Sequence, residues 1–130
     1  MATYHCSLKQ GKVGTALAHS NYIRREGKYA LDEKKEELEY SESGNLPYWA
    51  ADAKAFFAAA DLYERKNGTA YAEFELALPN ELSLEENIQL VREFVQRHIG
   101  PNKVYSFAIH DKNATLDPSQ RQPHVHLMFS

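Results

Sequence analysis

The clearest hydrophobic pattern lies in residues 70–78, where apolar and polar side chains alternate with a period of two. This alternation is typical of a strand that packs one face on a core. One face carries Tyr71, Glu73, Glu75 and Ala77, and the other carries Phe74, Leu76 and Leu78. Pro79 follows directly, so we expect the strand to end there. The pattern therefore predicts a strand that brings two glutamates to the same face of a sheet.

Three other segments have the spacing of apolar residues that a helix requires. Residues 15–25 predict a helix with Thr15 as its N-cap. Residues 50–65 predict a second helix from the repeat of alanine and phenylalanine positions. The segment Ser83-Leu-Glu-Glu is a capping box that opens a third helix, and Gly100-Pro101 is expected to end it.

The remaining segments complete the predicted fold. Residues 32–42 carry six acids and two lysines, and a turn-rich stretch follows, so a solvated excursion and a turn are predicted there. Further strands are predicted at 2–8, 103–110 and 124–129. The order is then strand, helix, helix, strand, helix, strand, strand. This order favours an α+β fold, with helices packed on a mainly antiparallel sheet.

The composition narrows the class of protein. Hydrophobic residues make up 43% and charged residues 25% of the 130 positions, which is typical of one globular domain. No apolar stretch is long enough to cross a bilayer or to serve as a signal core. The single cysteine, Cys6, excludes an internal disulfide framework, so a cytoplasmic location is expected. Because the chain stops within an apolar strand, residues 1–130 are expected to be the N-terminal part of a larger protein.

The net charge of −3 conceals an uneven distribution of charge along the chain. Residues 1–30 carry five basic residues against one acid, whereas residues 32–42 are strongly acidic. A local basic face is what binds phosphate groups, so the total charge does not exclude a nucleic-acid ligand. A solvated helix face explains the same charges equally well.

Three histidines are placed by the pattern at one end of the predicted sheet. His124 and His126 are two apart in a strand, so both side chains leave the same face. His110 ends the preceding strand and would return close to His124 if the two strands pair as a hairpin. Three imidazoles on one face can hold a divalent cation and leave other positions open for a substrate oxygen. His-x-His alone is a weak signal, and the third histidine strengthens it.

At this point the residues resemble a known family. Pro-His124-Val-His126-Leu-Met-Phe resembles the HUH motif of relaxases and rolling-circle replication proteins, in which an apolar residue separates two histidines. Ala-Ile-His110 resembles the third ligand of the relaxase version. Four further segments resemble the MobA/MobL mobilisation relaxases, in the order of that family: residues 2–9, 21–29, 60–68 and 73–82. The similarity is spread over nearly the whole chain.

The resemblance implies roles for individual residues. Tyr22 would be the nucleophile, although spacing alone does not select it among the eight tyrosines of the chain. His110, His124 and His126 would hold the metal. We expect Mn²⁺ or Mg²⁺, with Zn²⁺, Co²⁺ and Ni²⁺ as alternatives that suit imidazole ligands.

Two further sets of residues follow from the same resemblance. Glu73 and Glu75 match an acidic pair near the family's active site. One could orient a ligand imidazole, and the other could take the tyrosine proton. Two solvent-facing strand glutamates would look the same in sequence. Arg24, Arg25 and Lys28 follow the tyrosine and could hold DNA phosphates.

The implied activity is the site- and strand-specific nicking of single-stranded DNA at a plasmid origin of transfer. The tyrosine hydroxyl would attack phosphorus and form a covalent 5′-phosphotyrosine bond, with the metal polarising the phosphate. Accessory mobilisation proteins and a secretion coupling apparatus are further implied partners, in the cytoplasm of a bacterium and without membrane insertion.

Other functions also fit these residues. A replication initiator or a transposase of the HUH type would share the metal and the tyrosine, but replication proteins of this kind place the tyrosine after the histidine pair. A three-histidine zinc hydratase or hydrolase would need no tyrosine. A metal-binding or DNA-binding module without nuclease activity is the remaining alternative.

Overall fold

In the part of the chain that the structure describes, the strands form one antiparallel sheet with helices packed on it. The computed structural model describes residues 6–25, 38–64, 68–111 and 122–130. Within these ranges the elements in chain order are β1 (Cys6–Lys12), α1 (Ala16–Arg24), β2 (Leu38–Gly44), α2 (Ala53–Tyr63), β3 (Thr69–Ala77), α3 (Leu84–His98), β4 (Tyr105–His110) and β5 (His124–Phe129). The predicted α+β class is confirmed. None of the described helices has the length and apolar character needed to cross a membrane.

The sheet has the strand order β1-β3-β5-β4-β2, and every neighbouring pair is antiparallel. The hairpin of β4 and β5 lies inside the sheet, and its register places His110 opposite His124. The predicted pairing of these two strands is therefore confirmed. Most of the predicted connection between them, residues 112–121, lies outside the described residues.

Strand β2 is the element that the sequence did not reveal. The prediction of a solvated excursion is wrong for residues 38–44, which pair with β4 from Leu38 opposite His110 to Gly44 opposite Tyr105. A glutamate-rich segment becomes an edge strand here because β4 supplies its backbone partners. Its acidic side chain Glu42 binds Arg92 of α3, a contact that local composition cannot reveal.

The two faces of the sheet carry separate cores. Helix α3 opens with the predicted capping box, in which Ser83 and Glu86 exchange two hydrogen bonds of 3.1 Å. It packs on one face, in a cluster that includes Val91, Val95, Phe107, Ile109, Val125 and Leu127. Helices α1 and α2 cover the other face, in a cluster that includes Ala16, Ile23, Ala53, Phe57, Ala108 and Met128. The polar face of β3, which the alternation in residues 70–78 predicts, lies on the side that α1 covers, where His19 of α1 contacts Glu73.

The N-terminus of α1 is capped from α2 and not by Thr15. Thr15 makes no side-chain capping bond, and its hydroxyl donates instead to the carbonyl oxygen of Lys12 at 2.5 Å. The carboxylate of Asp61 accepts hydrogen bonds of 2.8 to 2.9 Å from the backbone N–H groups of Gly14, Ala16 and Leu17. A carboxylate at this helix end also favours the helix dipole. Asp61 therefore joins α2 to the helix that carries Tyr22.

We expect Asp61→Ala to lower the free energy of unfolding by about 2 kcal/mol, at the upper end of the range for a lost N-cap. Three backbone donors lose their acceptor at once, whereas Asp52, which caps α2, accepts a single bond from Ala55 at 2.8 Å. Urea unfolding of Asp61→Ala and of Asp52→Ala checks this expectation. An equal or larger loss in Asp52→Ala would contradict the special role of Asp61.

Glu42 on β2 is fixed by a charged contact to α3. Its Oε1 lies 2.6 and 2.9 Å from two guanidinium nitrogens of Arg92, and it accepts a bond of 2.9 Å from the Tyr40 hydroxyl. Burial alone would raise the pKa of Glu42. The hydrogen bonds from Arg92 and Tyr40 outweigh burial, so its pKa lies below the usual value of 4.5.

This contact predicts a pH-dependent contribution to stability. Because the folded state lowers the pKa of Glu42, the stabilisation is present above the ordinary pKa of 4.5 and is lost as pH falls through the folded value. Glu42→Gln should therefore destabilise the protein at neutral pH, and its difference from wild type should shrink in acid. Urea unfolding over a pH series measures this difference. Glu93→Gln, which changes an exposed residue of α3, is the control. A difference in unfolding free energy between Glu42→Gln and wild type that stays constant with pH would contradict the expectation.

Candidate active site

Polar side chains of three adjacent strands collect on the face that α1 covers. Glu73 on β3, His126 on β5 and His110 on β4 all leave this face. The ring centroids of His110 and His126 are 5.0 Å apart. His126 therefore lies beside Glu73, one of the two predicted glutamates, and His110 lies beside His126.

Glu73 is the centre of this group and is 3% exposed. Its Oε1 accepts a hydrogen bond from His126 Nδ1 at 3.0 Å, and its Oε2 accepts one from His19 Nε2 at 2.8 Å. Burial raises the pKa of Glu73, but the hydrogen bonds from His126 and His19 outweigh it and lower the pKa to about 2. Glu73 is therefore ionised at neutral pH, and both of its oxygens already accept a bond.

His19 is a member of this group that sequence reasoning missed. It lies on α1 one turn before Tyr22, and its ring stacks with that of Tyr22 at a centroid distance of 6.1 Å. The spacing of three residues between His19 and Tyr22 was visible in the sequence. The contact with Glu73 was not, because 54 residues separate the two along the chain.

His110 is buried and faces the end of α1. Its Nε2 donates to the carbonyl oxygen of Ile23 at 2.5 Å, so its Nδ1 carries the lone pair, 3.5 Å from the Arg25 guanidinium. Burial is the main cause that lowers the pKa of His110, to about 4. The carbonyl of Ile23 opposes this shift, and the nearby charges of His126, Arg25 and His124 add to it. His110 is therefore neutral at neutral pH, as a metal ligand must be.

Tyr22 is half-buried on α1, between His19 and Arg25. The guanidinium carbon of Arg25 lies 4.7 Å from the centre of the Tyr22 ring, and Nη1 of Arg25 donates to the Tyr22 carbonyl oxygen. Arg25 ends the helix with a left-handed backbone at φ 54°. The predicted nucleophile is thus joined to the sheet by its two neighbours on the same helix.

The predicted DNA-binding residues are placed differently from one another. Arg25 is only 4% exposed and is directed at Tyr22 and His110. Arg24 is half-buried, and Lys28 lies outside the described residues. The side chain of Glu75, the second predicted glutamate, is 26% exposed, with its Oε2 3.6 Å from Lys9 Nζ. The two glutamates of β3 therefore have distinct surroundings.

The predicted metal ligands are residues of a type that binds metals, but their side chains do not converge on a common point. Across the parts of the chain that the structure describes, no three His, Cys, Asp or Glu side chains converge closely enough to hold an ion. The donor atoms of the predicted ligands are imidazole nitrogens, which suit a divalent metal, although the lone pair of His110 Nδ1 faces the Arg25 guanidinium. His126 donates from Nδ1 to Glu73, which leaves its Nε2 lone pair for a metal, and a carboxylate partner of this kind is usual for ligating imidazoles. His124 lies opposite neutral His110, half-buried on the same face.

Comparison with solved structures supports the fold. The chain superimposes with a TM-score of 0.74 on a chain solved for the molecular basis of vancomycin resistance transfer in Staphylococcus aureus. The similarity covers 99% of this chain and 70% of that one, at 23% sequence identity. At this identity the likeness establishes the shared fold alone.

Comparison of sequences establishes the family. The chain is 52% identical over 131 residues to the 43 kDa relaxation protein of Salmonella typhimurium and 40% identical over 134 residues to Mobilization protein A of Escherichia coli. All of this chain is covered, but only 35% and 18% of those two proteins. Residues 14–130 match the MobA/MobL family, to which the chain belongs.

Proposed function

We propose that this chain carries the DNA-nicking site of a mobilisation relaxase, which cuts one strand at a plasmid origin of transfer. The observation that carries the proposal is the linkage of Tyr22, through His19, to the Glu73–His126 pair on the sheet. It joins a nucleophile candidate to imidazoles that suit a metal. The names of the two relatives, which refer to relaxation and mobilisation, support the same function.

In this proposal His110, His124 and His126 hold a divalent ion, Mn²⁺ or Mg²⁺. When bound, the ion would polarise the scissile phosphate and offset the negative charge that builds on its oxygens. Glu73 keeps the Nδ1 proton of His126 in place, so that Nε2 of the same ring remains an acceptor. The low pKa of His110 keeps that ring neutral under the same conditions.

The chemical step of the proposal is an exchange of phosphodiester bonds. The Tyr22 hydroxyl oxygen attacks phosphorus, a bond from Tyr22 to the 5′-phosphate forms, and the bond from phosphorus to the 3′ oxygen breaks. The Tyr22 hydroxyl loses a proton, and the leaving 3′ oxygen takes one up to become a 3′ hydroxyl, so the step balances. No bond energy is spent on hydrolysis, so the same strand can be rejoined by the reverse reaction.

The two glutamates take separate roles in this step. Both oxygens of Glu73 already accept hydrogen bonds from imidazoles, which favours an orienting role for it. The role of proton acceptor then falls to Glu75, the more exposed of the two. Arg25 packs its guanidinium against the Tyr22 ring. Arg24 and Lys28 are the proposed contacts for DNA phosphates. Accessory mobilisation proteins and a secretion coupling apparatus would act on the cut strand in the bacterial cytoplasm.

A labelled-strand experiment tests the proposed function. The protein is incubated with Mn²⁺ and a single-stranded oligonucleotide that carries the origin of transfer, labelled at its 3′ end in one sample and at its 5′ end in another. The 3′ label should move with the protein on a denaturing gel, and the 5′ label should appear on a free fragment. Chelation of the metal should abolish both products. Absence of any adduct on the cognate origin, with the metal shown to be bound, would refute nicking.

A further inference from the structure

His19 occupies a position between the proposed nucleophile and the proposed metal ligands. Its ring lies between the rings of Tyr22 and Tyr71, at centroid distances of 6.1 and 5.3 Å and interplanar angles of 28° and 11°. Its Nε2 is 2.8 Å from Oε2 of the buried Glu73. One side chain of α1 therefore contacts the tyrosine on its own helix and the carboxylate of the sheet.

We propose that His19 is a positioning residue for the proposed nicking reaction: it holds the Glu73 carboxylate in the orientation that fixes His126. The inference rests on the proposed function only for its effect on nicking. The orientation of Glu73 and His126 is a property of the protein without DNA and is tested separately.

The geometry of the carboxylate explains why a second partner is needed. The terminal torsion of a glutamate is broad, so a carboxylate held at one oxygen can still rotate. Glu73 is held at both oxygens, by His19 on one side and His126 on the other. Since the carboxylate can only accept, His126 Nδ1 must donate and the opposite nitrogen keeps its lone pair. Without His19 this tautomer of His126 loses its fixed partner.

A row of aromatic rings gives His19 its own support. Tyr71 on β3 lies flat over Gly11 of β1, where a side-chain carbon would overlap the Tyr71 ring. Glycine at position 11 therefore allows Tyr71 to lie where His19 stacks on it. The row runs from the sheet through Tyr71 and His19 to Tyr22, and it couples the position of the tyrosine to the strand that carries Glu73.

Two substitutions separate the hydrogen bond from the ring contacts. His19→Phe keeps a ring between Tyr22 and Tyr71 but removes the bond to Glu73. His19→Gln removes the ring but retains an N–H donor of similar reach. His98→Gln, on an exposed histidine of α3 that contacts Phe94, is the matched control on the opposite face. Circular dichroism and thermal unfolding establish that each variant is folded.

The first readout needs neither metal nor DNA. Long-range ¹H–¹⁵N spectra of the imidazole groups report which ring nitrogen of each histidine carries the proton. We expect the Nδ1–H tautomer of His126 in wild type, in His98→Gln and in His19→Gln, and a mixture of tautomers in His19→Phe. The second readout is the rate of covalent adduct formation at saturating DNA, which should fall about 10- to 100-fold in His19→Phe, with DNA affinity little changed.

Each outcome decides the proposal. Wild-type tautomers and rates in His19→Phe would overturn it. An equal loss of the His126 tautomer in folded His19→Gln and His19→Phe would also overturn it, because the ring contacts would then be what matters. Should His19→Phe not fold, His19→Gln decides: a fixed His126 tautomer supports the proposal and a mixture overturns it. If wild type forms no adduct, the proposed function fails, and the tautomer spectra alone decide the role of His19.

Discussion

Tyr22→Phe should abolish the covalent protein–DNA adduct and lower nicking by at least about a thousandfold, since it removes the attacking oxygen of the proposed reaction. The substitution keeps the aromatic ring, so the contacts with His19 and with the Arg25 guanidinium should remain. The fold and the affinity for DNA should therefore stay close to those of wild type. The measurement is the amount of 3′-labelled adduct on a denaturing gel, together with a binding titration of the uncut oligonucleotide.

The matched control for this change is Tyr48→Phe. Tyr48 is fully exposed and outside the group of residues around Glu73, so its loss should leave the adduct unchanged. Persistence of the adduct in Tyr22→Phe would contradict the proposed role of Tyr22. Mass spectrometry of the DNA-linked peptide would then identify the tyrosine, or another residue, that does attack.

Glu73→Ala carries the second-largest expected effect. We expect adduct formation to fall about 10- to 100-fold, with a matching increase in the Mn²⁺ concentration needed for half-maximal rate. The protein should also be destabilised by about 1–3 kcal/mol, because the donors of His19 and His126 lose a buried acceptor. A titration of Mn²⁺ against rate measures the first effect, and urea unfolding measures the second.

Glu75→Ala distinguishes the proposed roles of the two glutamates. Glu75 lies two residues along the same strand face, beside Lys9, so the change deletes a carboxylate of the same kind in a more exposed position. Because Glu75 is the proposed proton acceptor, its loss should lower the rate of adduct formation. The half-maximal Mn²⁺ concentration should stay near that of wild type. A raised Mn²⁺ requirement in Glu75→Ala and not in Glu73→Ala would reverse the two assignments.

Periodicity and local signals account for much of the fold. The alternation in residues 70–78 predicts both β3 and its polar face, and Ser83 with Glu86 predicts the start of α3. These predictions succeed because each depends only on residues that are close together along the chain. The pairing of His110 with His124 could also be predicted, since consecutive strands of a hairpin are adjacent and antiparallel.

The predictions are wrong where a segment takes its hydrogen-bond partners from residues that are distant along the chain. Residues 38–44 have the composition of a solvated segment, yet β4 recruits them as an edge strand and Arg92 satisfies Glu42. Thr15 has the position of an N-cap, yet Asp61 of α2 takes the backbone donors of α1. In both cases a partner more than 40 residues away decided the outcome.

The sequence by itself determined the class of fold, the strand face that carries Glu73 and Glu75, and the histidines at the ends of β4 and β5. Only the tertiary structure decided which partners these residues have: His19 contacts Glu73, Arg25 contacts Tyr22 and His110, and Glu75 lies beside Lys9. The physical reason is that a side chain's direction along an element follows from its period, whereas its hydrogen-bond partner depends on which elements pack together. A buried carboxylate accepts from whichever donors the packing of α1 on the sheet brings to it, and spacing along the chain does not encode that choice.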